Sequence, residues 1–148
     1  MLKTTLKILF NRDLDRLYQE IAAYTNEKKL WEITAQISNS GGTLCKHLLG
    51  NMNAFIGAEL GDTGYVRRRE LEFDGKPVST TDLLAQIKTL KHTVDETLER
   101  LDETALDREY PLVVFEKPMT TGYFLMHLTT HLTYHLGQIN YHRRLLDL

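Results

Sequence analysis

Apolar side chains recur at spacings of three and four residues in four separate stretches of this chain, and this pattern constrains the fold more than any other feature. Such spacing places the apolar residues on one face of an α-helix. Four amphipathic helices in 148 residues predict a single all-α domain, residues 1–148, built as a four-helix bundle. The pattern predicts helices from about Thr4 to Tyr24, from about Thr43 to Leu60, from a cap at residues 79–81 to Leu101, and from a cap at Thr120 or Thr121 to about Leu146.

The connections between the predicted helices are long, which argues against a simple up-down-up-down order. Trp31 lies in a connecting segment with room for one or two helical turns. Residues 38–42 and 61–64 carry Gly, Ser, Asn and Asp, so we expect them to interrupt the helices. A charged loop, residues 65–79, follows the second helix. The run 110–115 is too short for a helix and is predicted to form a small extended piece.

Composition excludes several classes of function. The chain has 18 Lys and Arg against 20 Asp and Glu, so it lacks the basic excess expected of a nucleic-acid-binding protein. No apolar stretch approaches the roughly 20 residues that span a bilayer, and no signal peptide is evident. We therefore expect a soluble, cytoplasmic protein that contacts neither nucleic acid nor membrane. One Cys against 6 His excludes an intrachain disulfide and a Cys-rich zinc finger, and it directs attention to histidine.

Four of the histidines fall in the last predicted helix: His127, His131, His135 and His142. At about 100° per residue they occupy one narrow stripe that borders the apolar stripe of that helix. A titratable group at the edge of a core needs a hydrogen bond, a charge or a metal as its partner. Residues four apart are neighbours, so either His127 with His131 or His131 with His135 can converge on one ion. His142 lies too far along the helix to share that ion.

A third ligand has to come from another helix, and two histidines are available. His47 lies at the edge of the apolar face of the second predicted helix, whereas His92 lies on the polar face of the third. His47 is therefore the better candidate. Three neutral imidazoles with an open fourth position suit Zn²⁺ and also accept Ni²⁺. The spacing alone leaves a metal site and a set of satisfied core histidines equally open.

Two segments of the chain carry a resemblance to a known family. HLTYHLGQINYHRR, residues 131–144, is similar to an H-x-x-x-H-x-G-Q segment, and LCKHLLGNMNAFIG, residues 44–57, is similar to a segment that supplies a further histidine. Both resemble the DinB/YfiT-like superfamily of small four-helix metal proteins, and the similarity extends over nearly the whole chain. The resemblance implies metal ligands at His47, His131 and His135. It also implies a divalent ion, commonly nickel or zinc, a helix order that is not simple up-and-down, and a homodimer.

The function implied by this resemblance is less specific. Some similar proteins use low-molecular-weight thiols, such as bacillithiol or mycothiol. We therefore expect a metal-dependent, thiol-linked transferase or a hydrolase that acts on a small molecule. The alternative is a non-catalytic metal-binding protein with a role in a stress response or in ligand sensing. A third reading is a purely structural dimer in which the core histidines are simply satisfied.

Several polar residues near the candidate ligands have competing interpretations. Asn51 shares a face with His47 and could contact the metal's surroundings or the substrate, but we favour an amide that caps polar contacts in the bundle. Gln138 is predicted to have a structural role. Tyr134 and Tyr141 are expected to pack against a neighbouring helix or a dimer partner. Cys45 points away from His47 on a helix and is expected to be a small buried side chain.

Three consecutive arginines, Arg67, Arg68 and Arg69, lie in the charged loop. If the loop folds over the metal, one of them could hold the carboxylates of a thiol cosubstrate. We favour solvated charges or ion pairs with Glu70 and Glu72. No chemistry is assigned to His92, His127 and His142.

Overall fold

The computed structural model describes all residues from Met1 to Leu148, and its regular structure is entirely helical, as predicted. The four long predicted helices are present, with ends within two residues of those expected when a π-helical continuation of the second is included. The α-helices are α1 (Leu2–Ala22), α2 (Glu27–Leu30), α3 (Gly41–Met52), α4 (Arg69–Glu72), α5 (Thr80–Arg100) and α6 (Thr121–Leu146). The π-helical segment Asn53–Ala58 follows α3, and the 3-10 segment Glu103–Asp107 follows α5.

Three of the four long helices, α3, α5 and α6, begin at side-chain caps that the sequence supplies, whereas α1 has none. The hydroxyl of Ser79 accepts a hydrogen bond of 3.1 Å from the backbone N–H of Asp82, and that of Thr120 accepts one of 3.1 Å from Tyr123. Such caps satisfy backbone donors that have no partner within the first turn of a helix. Ser79 and Thr120 are both among the predicted capping residues.

The segment 38–42 behaves differently from the prediction. Ser40 caps α3 by accepting a hydrogen bond of 3.1 Å from the N–H of Thr43, so Gly41 and Gly42 begin the helix instead of interrupting it. A β-carbon at Gly42 would lie 2.6 Å from the ring of Trp31. Glycine is therefore needed at that position because an indole ring packs directly against the helix backbone.

Four helices surround one apolar core. α1 packs against α5 and α6, and α3 packs against the same two helices from the other side. α1 and α3, the first two long helices of the chain, thus lie across the core from each other. α5 and α6 likewise lie across the core from each other, whereas α3 and α5 are adjacent. Two of the three pairs of successive long helices are therefore not neighbours in the bundle, which agrees with a helix order that is not simple up-down-up-down. The packing of α3 against α6 positions the candidate site.

Two short elements differ from the sequence prediction. The run 110–115 forms no extended strand. Its neighbourhood contains a single β-bridge between Glu109 and Thr120, with a hydrogen bond of 2.8 Å from the N–H of Tyr110 to the carbonyl of Met119. α4 lies within what was predicted to be an irregular loop. One turn of helix is too short to show a periodic pattern, and its stability comes from tertiary contacts.

None of the helices combines the length and the apolar character needed to cross a lipid bilayer.

Candidate metal centre

Three histidines from two helices meet between α3 and α6. The Nε2 atom of His131 lies 3.1 Å from Nε2 of His47 and 3.2 Å from Nε2 of His135. One nitrogen from each ring lies within 4.8 Å of the other two, which is close enough for the three residues to hold a metal ion. Two nitrogens bound tetrahedrally to one Zn²⁺ are separated by about 3.3 Å, because each Zn–N bond is about 2 Å long.

Local structure accounts for this convergence. His131 and His135 are four residues apart on α6, so their side chains are neighbours on one face of the helix. His47 lies on the face of α3 that packs against α6, and it is buried. The sequence predicted His131 and His135 as neighbours on one helix, and His47 at the edge of the apolar face of another. Only the packing of α3 against α6 brings the third ring to the other two.

Two acceptors determine the protonation of two of these rings. Nδ1 of His47 lies 3.0 Å from a carboxylate oxygen of Glu72, and Nδ1 of His135 lies 2.7 Å from the amide oxygen of Gln138. Both oxygens can only accept, so Nδ1 carries the proton in each ring. A neutral imidazole has one N–H, and therefore Nε2 of His47 and of His135 presents a lone pair toward His131.

His131 completes an arrangement that favours a cation. Its Nδ1 atom is buried and has no hydrogen-bond partner. Its Nε2 atom faces two lone pairs, and one N–H at that position could satisfy only one of them. A divalent cation would instead accept lone pairs from all three Nε2 atoms at once. The donor set thus fits a metal ion better than it fits a hydrogen-bonded cluster.

Burial also keeps these rings in the form that binds metals. Desolvation, reinforced by the neighbouring imidazoles, lowers the pKa of His131 to about 4. Burial likewise lowers the pKa of His47, although the carboxylate of Glu72 acts in the opposite direction. Both rings are therefore neutral near pH 7, and no proton has to be displaced before a metal binds.

The other three histidines lie outside this group. His127 stacks on the ring of Phe124 with a separation of 6.0 Å between the ring centres. His142 is buried at the far end of α6, where it contacts Tyr24. His92 is exposed and lies 3.2 Å from a carboxylate oxygen of Glu96. Of the two pairs that the spacing allowed on α6, the structure brings only the pair of His131 and His135 together with His47.

The three consecutive arginines have separate partners. Arg67 forms two hydrogen bonds of 2.9 Å to the carboxylate of Glu72, and Arg68 lies 3.3 Å from Glu70. The guanidinium of Arg69 lies 5.1 Å from the centre of the Phe73 ring. The predicted ion pairs with Glu70 and Glu72 are therefore present for two of the three arginines. Arg67 directs its Nε and Nη2 groups to the carboxylate of Glu72, so this part of the guanidinium is committed to an ion pair inside the protein.

Sequence reasoning missed two contacts and misjudged a third residue. Glu72 was considered only as a partner for an arginine, and its segment carries no periodic signal that places it beside His47. Gln138 was given a structural role, yet its side chain contacts a ring of the site. The predicted capping role of Asn51 is not seen for its amide oxygen, which is buried without a partner. Cys45 is fully buried as predicted, and desolvation raises the pKa of its thiol to about 12.

A cavity of about 620 Å³ lies beside the site, between residues 34–39 and the second half of α6. His135 contributes to both the histidine group and the cavity wall. The wall contains no Asp, Glu, Lys or Arg; it combines uncharged polar groups, such as Gln138, with apolar and aromatic ones, such as Leu44 and Tyr141. Its volume is in the range of small-molecule sites, and its lining suits an uncharged molecule or an uncharged part of one.

A comparison with known protein families shows to which family the chain belongs. Residues 5–147 match the model of a family described as a protein of unknown function, DUF1572. The chain belongs to the DUF1572 family. Neither the curated proteins nor the solved structures contain a significant match. The family assignment covers nearly the whole chain and carries no description of an activity, so the function has to be argued from the site.

Proposed function

We propose that this DUF1572 protein binds one divalent cation, nickel or zinc, through His47, His131 and His135, and acts on a small molecule held beside it. The convergence of three Nε2 atoms, separated by 3.1 and 3.2 Å at His131, carries this proposal. The partners of Nδ1 on His47 and His135 support it, because they direct two lone pairs toward the same point.

The chemistry of such a centre divides between the cation and the chain. A bound divalent cation with an open position favours the deprotonated form of a water or thiol, which generates a nucleophile near neutral pH. The chain would bind and orient the other reactant in the cavity beside His135. This division supports a metal-dependent transferase or hydrolase, with a thiol-linked reaction as the specific form.

Metal analysis tests the metal site directly. We expect purified wild-type protein to carry close to one equivalent of nickel or zinc by elemental mass spectrometry, and His131→Ala to carry none. His127→Ala is the matched control, because it removes a histidine from the same face of α6 outside the group; it should retain the metal. Circular dichroism establishes that each variant is folded. Metal-free wild type after incubation with Ni²⁺ or Zn²⁺, or a full metal load in folded His131→Ala, would contradict the proposal.

A pair of matched thiols tests the thiol-linked reaction. N-acetylcysteine amide is uncharged, whereas N-acetylcysteine carries a carboxylate that the cavity wall has no cation to neutralise. We expect the amide to raise the melting temperature of the metal-loaded protein more than the acid does, and neither to act on His47→Ala. If neither thiol stabilises metal-loaded wild type, the thiol-linked reaction is wrong and a non-catalytic metal-binding role is favoured.

We also infer that the family belongs to the DinB/YfiT-like superfamily. The H-x-x-x-H-x-G-Q segment from His131 to Gln138 supports this inference. The positions of α1 and α3 across one core agree with a bundle whose order is not simple up-and-down. A crystal structure of a DinB/YfiT-like protein that superimposes poorly on these four helices would contradict it.

We also propose a cytoplasmic location. It agrees with the free, fully buried Cys45 and would be tested by cell fractionation.

We further propose that the protein forms a homodimer through the exposed face of α6, at the rim of the cavity beside His135, to which Tyr134 and Tyr141 both contribute. Tyr134 and Tyr141 are 65% and 64% exposed, so most of each side chain is accessible to a second copy, which is one of the two partners predicted for them. Exposed aromatic side chains on one face favour a protein interface. Sedimentation equilibrium should give twice the mass of the chain for wild type and a monomer for Tyr134→Ser/Tyr141→Ser. A wild type that stays monomeric at the highest concentration measured would contradict the dimer.

A further inference from the structure

We propose that Glu72 is a positioning residue of the metal centre: held by Arg67, it fixes the ring of His47 so that Nε2 faces the other two histidines. The inference deepens the proposed function, since it concerns the same site. It assigns a role to a loop that contributes no ligand. The contacts of Glu72 carry it.

Glu72 is the buried side chain of α4, and its carboxylate is fully engaged. It is 5% exposed, and one oxygen lies 3.0 Å from Nδ1 of His47. Arg67 donates from Nε to Oε2 and from Nη2 to Oε1, both at 2.9 Å. A buried carboxylate is stable only when it is paired and hydrogen-bonded. Arg67 therefore compensates the negative charge of Glu72, and this compensation allows the carboxylate to be buried inside the bundle.

The position of the proton on His47 follows from these contacts. Arg67 Nη2 also lies 3.4 Å from Nδ1 of His47, and a guanidinium can only donate. That contact is longer than the 2.9 Å hydrogen bond from the same Nη2 atom to Oε1 of Glu72. Oε1 therefore accepts hydrogen bonds from both Arg67 and His47. Nδ1 of His47 carries the hydrogen, and its Nε2 atom is left with the lone pair.

The surrounding residues leave Glu72 little freedom to act otherwise. A β-carbon at Gly50 would collide with Oε2 of Glu72, so the carboxylate lies directly against the backbone of α3. The next residue, Phe73, places its ring 5.0 Å from the ring of His47. The loop from the π-helical segment to α5 is thus attached to the centre at two adjacent positions. We therefore expect a substitution of Glu72 to alter the position of the His47 ring more than it alters the packing of the core.

The decisive experiment is performed on metal-free protein at about pH 8, where the ring of His47 is neutral. The side-chain ¹⁵N shifts of His47 report which nitrogen carries the proton. We expect Nδ1–H in wild type and in the control Glu70→Gln, which alters an exposed glutamate of the same turn. Arg67→Met/Glu72→Leu replaces the whole ion pair by apolar side chains, which avoids an unpaired buried charge. In that variant we expect a substantial population of Nε2–H.

Zinc affinity, measured by competition with a chromophoric chelator, supplies the second readout. Loss of a partner that orients a ligand typically weakens metal binding about 10- to 100-fold. We expect a loss of that size for the double variant and for Glu72→Gln, and none for Glu70→Gln. An Nε2–H proton in wild type, or a double variant with wild-type proton position and affinity, would overturn the role of Glu72. If wild type binds no metal, the proposed function fails, while the ¹⁵N shifts still decide the role of Glu72.

Discussion

At the scale of single residues, the site depends on a glycine, because a β-carbon at position 50 would occupy the place of the Glu72 carboxylate. Gly50 lies on α3 three residues beyond His47, and its lack of a β-carbon leaves the space that the carboxylate of Glu72 occupies. In the interior of a helix, alanine is normally more stable than glycine by up to about 1 kcal/mol. Glycine is retained here at the expense of helix stability, and the close approach of Glu72 provides the physical reason.

Gly50→Ala should therefore weaken zinc binding by about tenfold, because the new methyl group displaces Glu72 from His47. Gly137→Ala, on α6, is the matched control, since a β-carbon at that position would meet no neighbouring atom within 4 Å. The control should raise the free energy of unfolding by about 0.5–1 kcal/mol and leave zinc binding unchanged. Chelator competition and urea denaturation measure the two quantities. Equal zinc affinities for the two variants would show that Glu72 tolerates the methyl group.

Chemically identical residues also differ in their surroundings. His127 and His135 are each four residues from His131, and their spacing gives no reason to choose between them. In the structure His127 stacks on Phe124, whereas His135 faces His47 at a distance of 5.2 Å between ring centres. Residue-level reasoning from spacing could name the candidates, but the resemblance and then the packing of α3 distinguished them.

At the scale of elements, α6 carries histidines in two different environments. His131 and His135 face α3 in its middle, whereas His142 fastens its C-terminal part to the segment after α1. The hydroxyl of Tyr24 donates to Nδ1 of His142 at 2.7 Å, and Nε2 of His142 donates to the carbonyl of Glu32 at 2.8 Å. Both nitrogens of this ring are satisfied by the chain itself, which leaves no lone pair for a metal.

His142→Ala should accordingly destabilise the fold without affecting the metal. Loss of two buried hydrogen bonds, which leaves their partners unsatisfied, is expected to lower the free energy of unfolding by about 2 kcal/mol. Urea denaturation of metal-free protein measures this change, and His127→Ala, which breaks no such bonds, should cost less. Metal content should stay at the wild-type level. A folded His142→Ala protein without metal would place this residue in the site and contradict its structural role.

α4 illustrates what element-level prediction misses. The helix has four residues, and only Glu72 among them is buried. A single turn contributes almost no intrinsic stability in water, so the charged composition of the segment correctly suggested a loop by local criteria. We attribute its formation to the hydrogen bonds of Glu72 with Arg67 and His47, which lie outside the turn.

At the scale of the whole molecule, the buried imidazoles link stability to pH. Desolvation lowers the pKa of His131 from 6.5 in the unfolded chain to about 4 in the metal-free protein. Between these values the unfolded chain binds more protons than the folded chain, so the free energy of unfolding rises with pH and falls as the medium is acidified. The loss begins below about pH 6.5 and is complete near pH 4.

Urea denaturation with a chelator present, at several values between about pH 4 and pH 7.5, tests this linkage. We expect the free energy of unfolding of wild type to decrease toward acid, and His131→Gln to show a weaker decrease because it removes one of the responsible groups. His92→Gln, at an exposed position, should follow the wild-type curve. Identical pH dependence in wild type and His131→Gln would mean that other groups cause the acid sensitivity.

The sequence by itself determined the all-α class, the long helices and the face of α6 on which the histidines lie. These properties are local: periodicity, capping residues and turn residues act over a few positions of the chain. They were sufficient to predict Ser79 and Thr120 as caps and to name two alternative histidine pairs on α6. The set of His47, His131 and His135 was implied by the family resemblance.

Tertiary structure alone decided what surrounds those histidines. Glu72 reaches His47 from 25 positions away in the chain, and this contact requires the glycine at position 50 and the charge of Arg67. None of these residues has a spacing that predicts the others. A site assembled from separate elements depends on distances across the fold, which the order of residues along the chain does not contain.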